Sequence, residues 1–338
     1  MFDCVKENKQ SNGSIVEQHS IFCATDQEVK WLSKAKKMKV DGTFKIVKGP
    51  FYQLVSLHCL INAGHRSVSV PCGYIIMSGK SQKDYVGVFK KLKEFMEQDG
   101  RTWNLKTAMV DYELALRNAL KLVFDGIKLQ GCWFHYGQSI YRKVKKLQLE
   151  NVYITKAVGG KYIKRIIALA LMRHDMIPGL FEYMKQGLEE DKAYMEPIVQ
   201  AAFDKLFAYV ESQWIYNPKI PISEWSVFGS NVRTNNEVEN WNGQIWKSAG
   251  QRSLHIYDLM TFLKERSNAA VGKMSMLFTD TKKAKQKSVD KKIEEAMEKA
   301  KAQAQCPVAA FYDLVKITVQ KVMVLNTNSD EYTVDEFE

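Results

Sequence analysis

The sequence predicts a mixed α/β protein, in which a sheet of antiparallel and parallel strands is covered by helices. Residues 36–77 carry three strand-like runs in succession, and residues 105–147 then alternate strand, helix, strand and helix. Hairpin strands followed by such alternation are typical of a mixed sheet with helices on its faces. Residues 148–230 instead show helical periodicity, which predicts an all-α insertion.

The three strands at the start of the sheet are predicted from alternation and from turn residues. The run KKMKVDGTFKIV (36–47) alternates and is rich in β-branched residues. Gly49-Pro50 then marks a turn before the apolar run FYQLVSLHCLI, and SVSVPCGYIIM (67–77) gives the third strand. Ser81 can cap the helix that follows, DYVGVFKKLKEFMEQ.

The second half of the sheet follows a different order. LKTAMV and IKLQGCWF read as strands, and each precedes a helical run, ELALRNALKLVF and GQSIYRKVKKL. From these patterns we predict five segments: an N-terminal lead-in (1–35), a first part of the core (36–147), a helical insertion (148–230), the completion of the core (231–272), and a charged C-terminal helix and tail (273–338). The charged run 282–305 is expected to be a solvated helix or a linker.

The composition is that of a globular protein with an excess of positive charge. The 338 residues are 46% hydrophobic and carry a formal net charge of +11, which points to a polyanionic partner. Six scattered cysteines and a polar start predict reduced thiols in the nucleus or cytosol. The apolar stretches fall short of the ~18 residues that a membrane span needs, so we expect a soluble protein without a membrane partner.

Two acidic residues stand at strand positions where they could bind a divalent cation or cap local structure. Asp41 lies within the first strand, although Asp41-Gly42 could also form a tight hairpin turn. Asp111 directly follows a strand, where open α/β sheets place ligand-binding groups, although it could equally cap the next helix. Carboxylate oxygens are the ligands that Mg²⁺ prefers.

A third acid, Glu239, lies on the helix predicted after the insertion. Thr234 and Glu237 have the spacing of a capping box, which would leave Glu239 for another role. In an alternative register Asn236 is the cap and Glu239 its partner.

The same helix has two distinct faces. Helical geometry puts Val238, Trp241 and Ile245 on an apolar stripe. Asn235, Glu239, Asn242 and Trp246 lie along a different, more polar face.

Cys132 and His135 form a C-x-x-H spacing at a strand-to-helix junction. A closed zinc site needs four ligands, and no second pair completes it, so zinc is not expected. His135 could handle a phosphate or a proton, or the pair could simply be a buried cysteine with a hydrogen-bonded histidine.

Nearby, a basic cluster is interleaved with aromatic residues: Arg142, Lys143, Lys145 and Lys146. These residues are candidates for contact with a nucleic-acid backbone, although such clusters are also common on solvated faces.

Taken in order, these motifs resemble the Mutator-like element (MULE) transposase family. The stretches that carry the resemblance span about residues 21–270 and include KVDGTFK, GPFYQLVSLH, MVDYELALRNALKLVF, GCWFHYGQSIYRKV, IPISEWSVF and RTNNEVENWNGQIW. The resemblance implies an RNase H-like fold whose sheet is interrupted by the helical insertion before the last acid. It also implies a D-D-E triad at Asp41, Asp111 and Glu239, with Cys132 and His135 matching the family's C-x-x-H.

The resemblance further implies a reaction and its partners. Two Mg²⁺ or Mn²⁺ ions would be held by the three carboxylates while double-stranded DNA is cleaved at element ends and joined to target DNA. A nuclear location and a homo-oligomer are expected from that reaction.

The chain departs from the family pattern at Asn240 and Asn242, where many relatives carry Gly and His. We expect a catalytic core that lacks an upstream zinc-binding recognition module. The competing hypotheses are a catalytically silent, domesticated DNA-binding or chromatin protein and a cellular nuclease for RNA–DNA hybrids.

Overall fold

A computed structural model of the chain describes residues 2–9, 15–44, 46–63, 66–155, 158–230, 232–250, 252–279, 288–302 and 307–322. The described residues form a mixed sheet and many helices, so the predicted mixed α/β class is confirmed. They divide into two compact units. Unit 1 comprises residues 1–130 and 235–284, and unit 2 comprises residues 131–234 and 285–338.

The bounds of the elements are as follows. The strands are β1 (Phe2–Lys9), β2 (Ile15–Cys23), β3 (Lys37–Phe44), β4 (Gln53–Ala63), β5 (Arg66–Met77), β6 (Thr107–Val110) and β7 (Lys128–Gly131). The helices are α1 (Asp26–Lys34), α2 (Gln82–Gln98), α3 (Leu114–Val123), α4 (Trp133–Lys146), α5 (Glu150–Ile154), α6 (Gly160–Ala168), α7 (Ile177–Asp191), α8 (Pro197–Val210), α9 (Ile222–Trp225), α10 (Asn236–Ser248), α11 (Ile256–Thr279), α12 (Ser288–Ala302) and α13 (Pro307–Val322).

Unit 1 is built on a seven-stranded sheet in the order β1-β2-β5-β4-β3-β6-β7. The first four neighbouring pairs in this order, β1-β2, β2-β5, β5-β4 and β4-β3, are antiparallel. The next pair, β3 with β6, is parallel. The three strands predicted in succession are therefore β3, β4 and β5, and Ser81 caps α2 as predicted, through a capping box with Asp84.

The two faces of this sheet bury separate hydrophobic clusters. Side chains alternate between faces along a strand, so neighbours such as Val55 and Leu54 enter different clusters. One cluster packs the strands against α1, α2 and α3. The other packs them against α10 and α11, through Ile245, Leu259 and Leu263. The second face is the one that carries the candidate site.

The predicted N-terminal lead-in contains regular structure that the sequence patterns did not indicate. β2 pairs with both β1 and β5, and α1 begins with a capping box between Thr25 and Glu28. β2 reaches β5 across more than 40 residues of chain, and this non-local pairing leaves no local signal.

Apart from Gly131 at the end of β7, the regular elements in the described residues of unit 2 are all helices. Its aromatic core includes Tyr136, which stacks on Trp225 with ring centroids 5.0 Å apart and meets Trp214 edge-on. The helix predicted as solvated is α12, but it buries Ile293 and Met297, so that part of the prediction is wrong. Residues 280–287, 303–306 and 323–338 of the predicted C-terminal segment lie outside the described residues. Among the described helices, none is long and apolar enough to cross a membrane.

Candidate active site

Asp41 and Asp111 lie at matching positions on two neighbouring strands. β3 and β6 run in parallel, and the last register pair joins Lys39 to Met109, two residues before each acid. Residues paired across parallel strands point to the same face, and alternation returns to that face two residues later. The two carboxylates therefore leave the sheet side by side on the face covered by α10. β3 runs through Asp41, so the alternative prediction of a hairpin turn at Asp41-Gly42 is wrong.

Glu239 approaches these two acids from α10. The pKa of Asp41 is raised well above its ordinary value, first because burial removes water from the carboxyl group. The negative charges of Glu239 and Asp111 raise it further. Only 8% of the Asp41 surface is exposed, whereas Asp111 and Glu239 are half-buried. The structure thus brings two of the acids singled out from the sequence, Asp111 and Glu239, within electrostatic range of the third, Asp41.

A short chain of hydrogen bonds fixes the orientation of Asp41. The Asn242 amide donates to Asp41 Oδ2 at 2.9 Å, and its own Oδ1 accepts from the Ser56 hydroxyl at 2.8 Å. Asn242 and Ser56 are both buried, and Ser56 pairs with Asp41 across β3 and β4. An amide N–H can only donate, so it favours the ionised form of Asp41 and opposes the effect of burial.

Two further contacts hold the start of α10 on β3. The Lys39 ammonium pairs with Glu237, and the Asn235 amide donates to the Val40 carbonyl at 3.3 Å. Lys39 is 1% exposed, so its alkyl chain and its charge are both inside the protein. Lys39 lies beside His58 across the strand pair, and its charge adds to burial in lowering the pKa of His58 to about 3.

The contacts at the start of α10 correct the predicted helix cap. Asn235 occupies the N-cap position, and its side chain makes no capping hydrogen bond. Glu237 pairs with Lys39 instead of closing a box with Thr234. The alternative with Asn236 as cap and Glu239 as partner is wrong as well. A buried cation 198 residues away in the chain is a stronger partner for Glu237 than a neutral backbone N–H.

The loop between β6 and α3 holds Asp111. Asp111 Oδ1 accepts from the Glu113 backbone N–H at 3.1 Å, and the Asp111 carbonyl accepts from Arg117 at 3.0 Å. Glu113, rather than Asp111, is the N-cap residue of α3, so the capping alternative for Asp111 is wrong. The Tyr85 hydroxyl donates to Glu113 at 3.1 Å and ties this loop to α2.

Several of these supporting residues were missed from the sequence. Ser56 is a polar residue inside the apolar run of β4, which is a usable signal for a buried hydrogen bond. Lys39 stands two residues before Asp41, and strand alternation puts it on the same face. No local pattern singles out Tyr85 or Arg117, because their partners come from distant segments.

Cys132 and His135 lie at the start of α4, in unit 2. Cys132 is the buried N-cap residue, and His135 is half-buried in the first turn. The predicted strand IKLQGCWF ends at Gly131, earlier than expected, because α4 begins at Trp133. The Trp133 backbone N–H donates to the Arg233 carbonyl at 2.9 Å and anchors this helix start within unit 2.

The predicted DNA-binding residues Arg142, Lys143, Lys145 and Lys146 form the last turns of the same helix. Their aromatic neighbours are buried, since Trp133 and Tyr136 are at most 5% exposed. The expected interleaving of basic and aromatic residues therefore does not give rings on which bases could stack. The basic residues themselves remain half-buried or exposed.

A comparison with models of known protein families matches part of the chain. Residues 37–139 fit the family model of the MULE transposase domain. This range includes Asp41, Asp111, Cys132 and His135 and ends before Glu239. A search of curated proteins found no match. The match supports the resemblance inferred from the motifs over residues 37–139, which fit a MULE transposase domain.

Proposed function

We propose that unit 1 is the catalytic core of a metal-dependent DNA transposase, with Asp41, Asp111 and Glu239 as a D-D-E triad. One observation carries the proposal: three acids from β3, β6 and α10 converge on one face of the sheet closely enough for two of them to raise the pKa of the third. Such a cluster is costly unless a cation offsets its charge. The strand order and the parallel pairing of β3 with β6 are compatible with an RNase H-like fold.

The donor set fits hard divalent cations. All three side chains offer carboxylate oxygens, which suit Mg²⁺ and Mn²⁺. Bound at these residues, two such ions would activate an attacking oxygen and stabilise the leaving oxygen of a phosphodiester. Cys132 and His135 are not part of this proposed donor set, and no zinc ion is included in it.

The chain's own residues would keep the acids ready for this role. Asn242, supported by Ser56, holds Asp41 as an acceptor, and the Glu113 N–H together with Arg117 orients the loop of Asp111. Lys39 and Asn235 hold the helix that carries Glu239. In the reaction, an oxygen of water or of a DNA 3′-hydroxyl would lose its proton and attack phosphorus, and the bond to the departing 3′-oxygen would break, which leaves a free 3′-hydroxyl on that strand.

DNA is the partner that a transposase domain implies. We further propose that the protein acts in the nucleus, on double-stranded element ends and target DNA, and as a homo-oligomer when it joins two ends. The excess positive charge of the chain supports a polyanionic substrate.

A nicking and strand-joining assay on duplex DNA with Mg²⁺ or Mn²⁺ tests the proposal. Asp111→Asn, Asp41→Asn and Glu239→Gln should each abolish activity, and Asp125→Asn, at an exposed position after α3, is the matched control. Equal activity in wild type and the Asp111→Asn variant would refute the triad. A wild type that binds DNA without cutting it would instead support the domesticated protein, and preferential cleavage of RNA–DNA hybrids would support the cellular nuclease.

A further inference from the structure

Charge is strongly segregated within unit 2. Residues 133–168, which contain α4, α5 and α6, include eight basic residues and a single acidic residue, Glu150. Residues 170–215, which contain α7 and α8, include four basic and eight acidic residues. Three of those four basic residues are in ion pairs: Arg173, Lys185 and Lys192. Among the eight, Lys145 pairs with Glu150 and Lys161 with Asp191. Within residues 133–215 the excess of positive charge still lies on one run of three helices.

The basic residues of these helices are linked through two tyrosine rings. Lys145 Nζ lies 5.5 Å from the centroid of the Tyr141 ring, and Lys164 Nζ lies 5.7 Å from that of Tyr153. The two rings are 5.8 Å apart. Ammonium groups from α4 and α6 are therefore held along one continuous surface by cation–π contacts with nearly buried rings.

The surface continues along α6. Tyr162 and Ile163 are buried, so Lys164 and Arg165 lie on the outer side of the helix. The Arg165 guanidinium lies 4.5 Å from the centroid of the Tyr312 ring on α13. We call the outward cations of α4 and α6 the basic surface: Arg142, Lys143, Lys145, Lys146, Lys164 and Arg165.

We propose that the basic surface binds the phosphate backbone of duplex DNA, independently of sequence. The inference takes its DNA partner from the proposed function and adds the part of the chain that holds it. Single-stranded nucleic acid is bound largely by stacking on exposed aromatic rings. The most exposed described tyrosines of unit 2, Tyr183, Tyr194 and Tyr216, all lie outside the basic surface. A surface rich in cations and poor in exposed rings matches a phosphate backbone.

The salt dependence of binding tests this surface. Each phosphate contact adds about 0.9 to the slope of log K against log salt concentration for duplex DNA. In the full-length chain, Lys145→Gln with Lys164→Gln should lower the magnitude of that slope by about 2, for every duplex sequence tested. The assay is fluorescence anisotropy of a labelled duplex between about 50 and 200 mM salt.

Two further variants separate charge from structure. Lys145→Arg with Lys164→Arg keeps both charges and should restore the wild-type slope. Lys205→Gln with Lys219→Gln removes the same charge from exposed positions of unit 2 outside the basic surface and should leave the slope unchanged. An unchanged slope in the Lys145/Lys164 glutamine variant would overturn the proposal, as would stronger competition by single-stranded RNA than by duplex DNA. Loss of cleavage in Asp111→Asn with normal DNA binding would leave this surface supported, so the two proposals fail separately.

Discussion

Replacing Asn242 with Leu removes two buried hydrogen bonds while keeping the number and branching of the side-chain heavy atoms. Ser56 is fully buried and Asp41 nearly so; in this variant Ser56 loses its acceptor on Asn242, and Asp41 loses one of its donors. A neutral hydrogen bond contributes about 1 kcal/mol and one to a charged group about 2, so we expect a loss of about 3 kcal/mol in the free energy of unfolding. Urea denaturation at neutral pH measures this loss as a lower midpoint.

Two comparisons show whether the loss comes from these bonds. Asn240→Leu places the same side chain at an exposed position of the same helix and should cost less than about 1 kcal/mol. If the network is coupled, combining Asn242→Leu with Ser56→Ala should cost about 1 kcal/mol less than the sum of the single variants. A cost for Asn242→Leu equal to that of Asn240→Leu would refute the reasoning.

Three further predictions concern other buried groups. The pKa of His58 is about 3 in the folded chain and about 6.5 when exposed, so the unfolded state binds more protons and stability falls as the pH falls below about 6.5. The loss in the free energy of unfolding should reach roughly 2–3 kcal/mol at about pH 4.5. Thermal unfolding should show this loss in the wild type and not in His58→Phe. Glu237→Gln removes the carboxylate that pairs with the buried Lys39 ammonium and should cost more than Lys39→Met, which removes the buried charge itself; equal urea midpoints would contradict this. Gly73 has φ +152°, and an added Cβ would lie 2.5 Å from the Phe22 ring, so Gly73→Ala should lower the melting temperature and Phe22→Leu should partly restore it.

The part of the site that follows from periodicity was predictable. Once β3 and β6 are recognised as strands, alternation places Asp41 and Asp111 on the same face if the strands run parallel. The apolar stripe of α10 was predicted in the same way, and Val238 and Ile245 are indeed buried. Each of these features follows from the side-chain periodicity of a single strand or helix.

The remaining contacts depend on tertiary partners that no local pattern contains. The spacing of Thr234 and Glu237 favours a capping box, but folding brings the buried charge of Lys39 to Glu237. In the same way, Tyr141 precedes Tyr153 by 12 residues, and only the packing of α4 against the following helices brings their rings together. Sequence patterns therefore identify which residues are unusual, whereas the fold decides their partners.

Binding of a divalent cation tests the central proposal most directly, because it needs neither a DNA sequence nor turnover. Isothermal titration of the full-length chain with Mn²⁺ should show binding that Asp41→Asn, Asp111→Asn and Glu239→Gln each weaken by about tenfold or more, equivalent to about 1.4 kcal/mol. Asp125→Asn should bind like the wild type. Equal affinity in the wild type and all three triad variants would contradict the assignment of these acids to a common metal site.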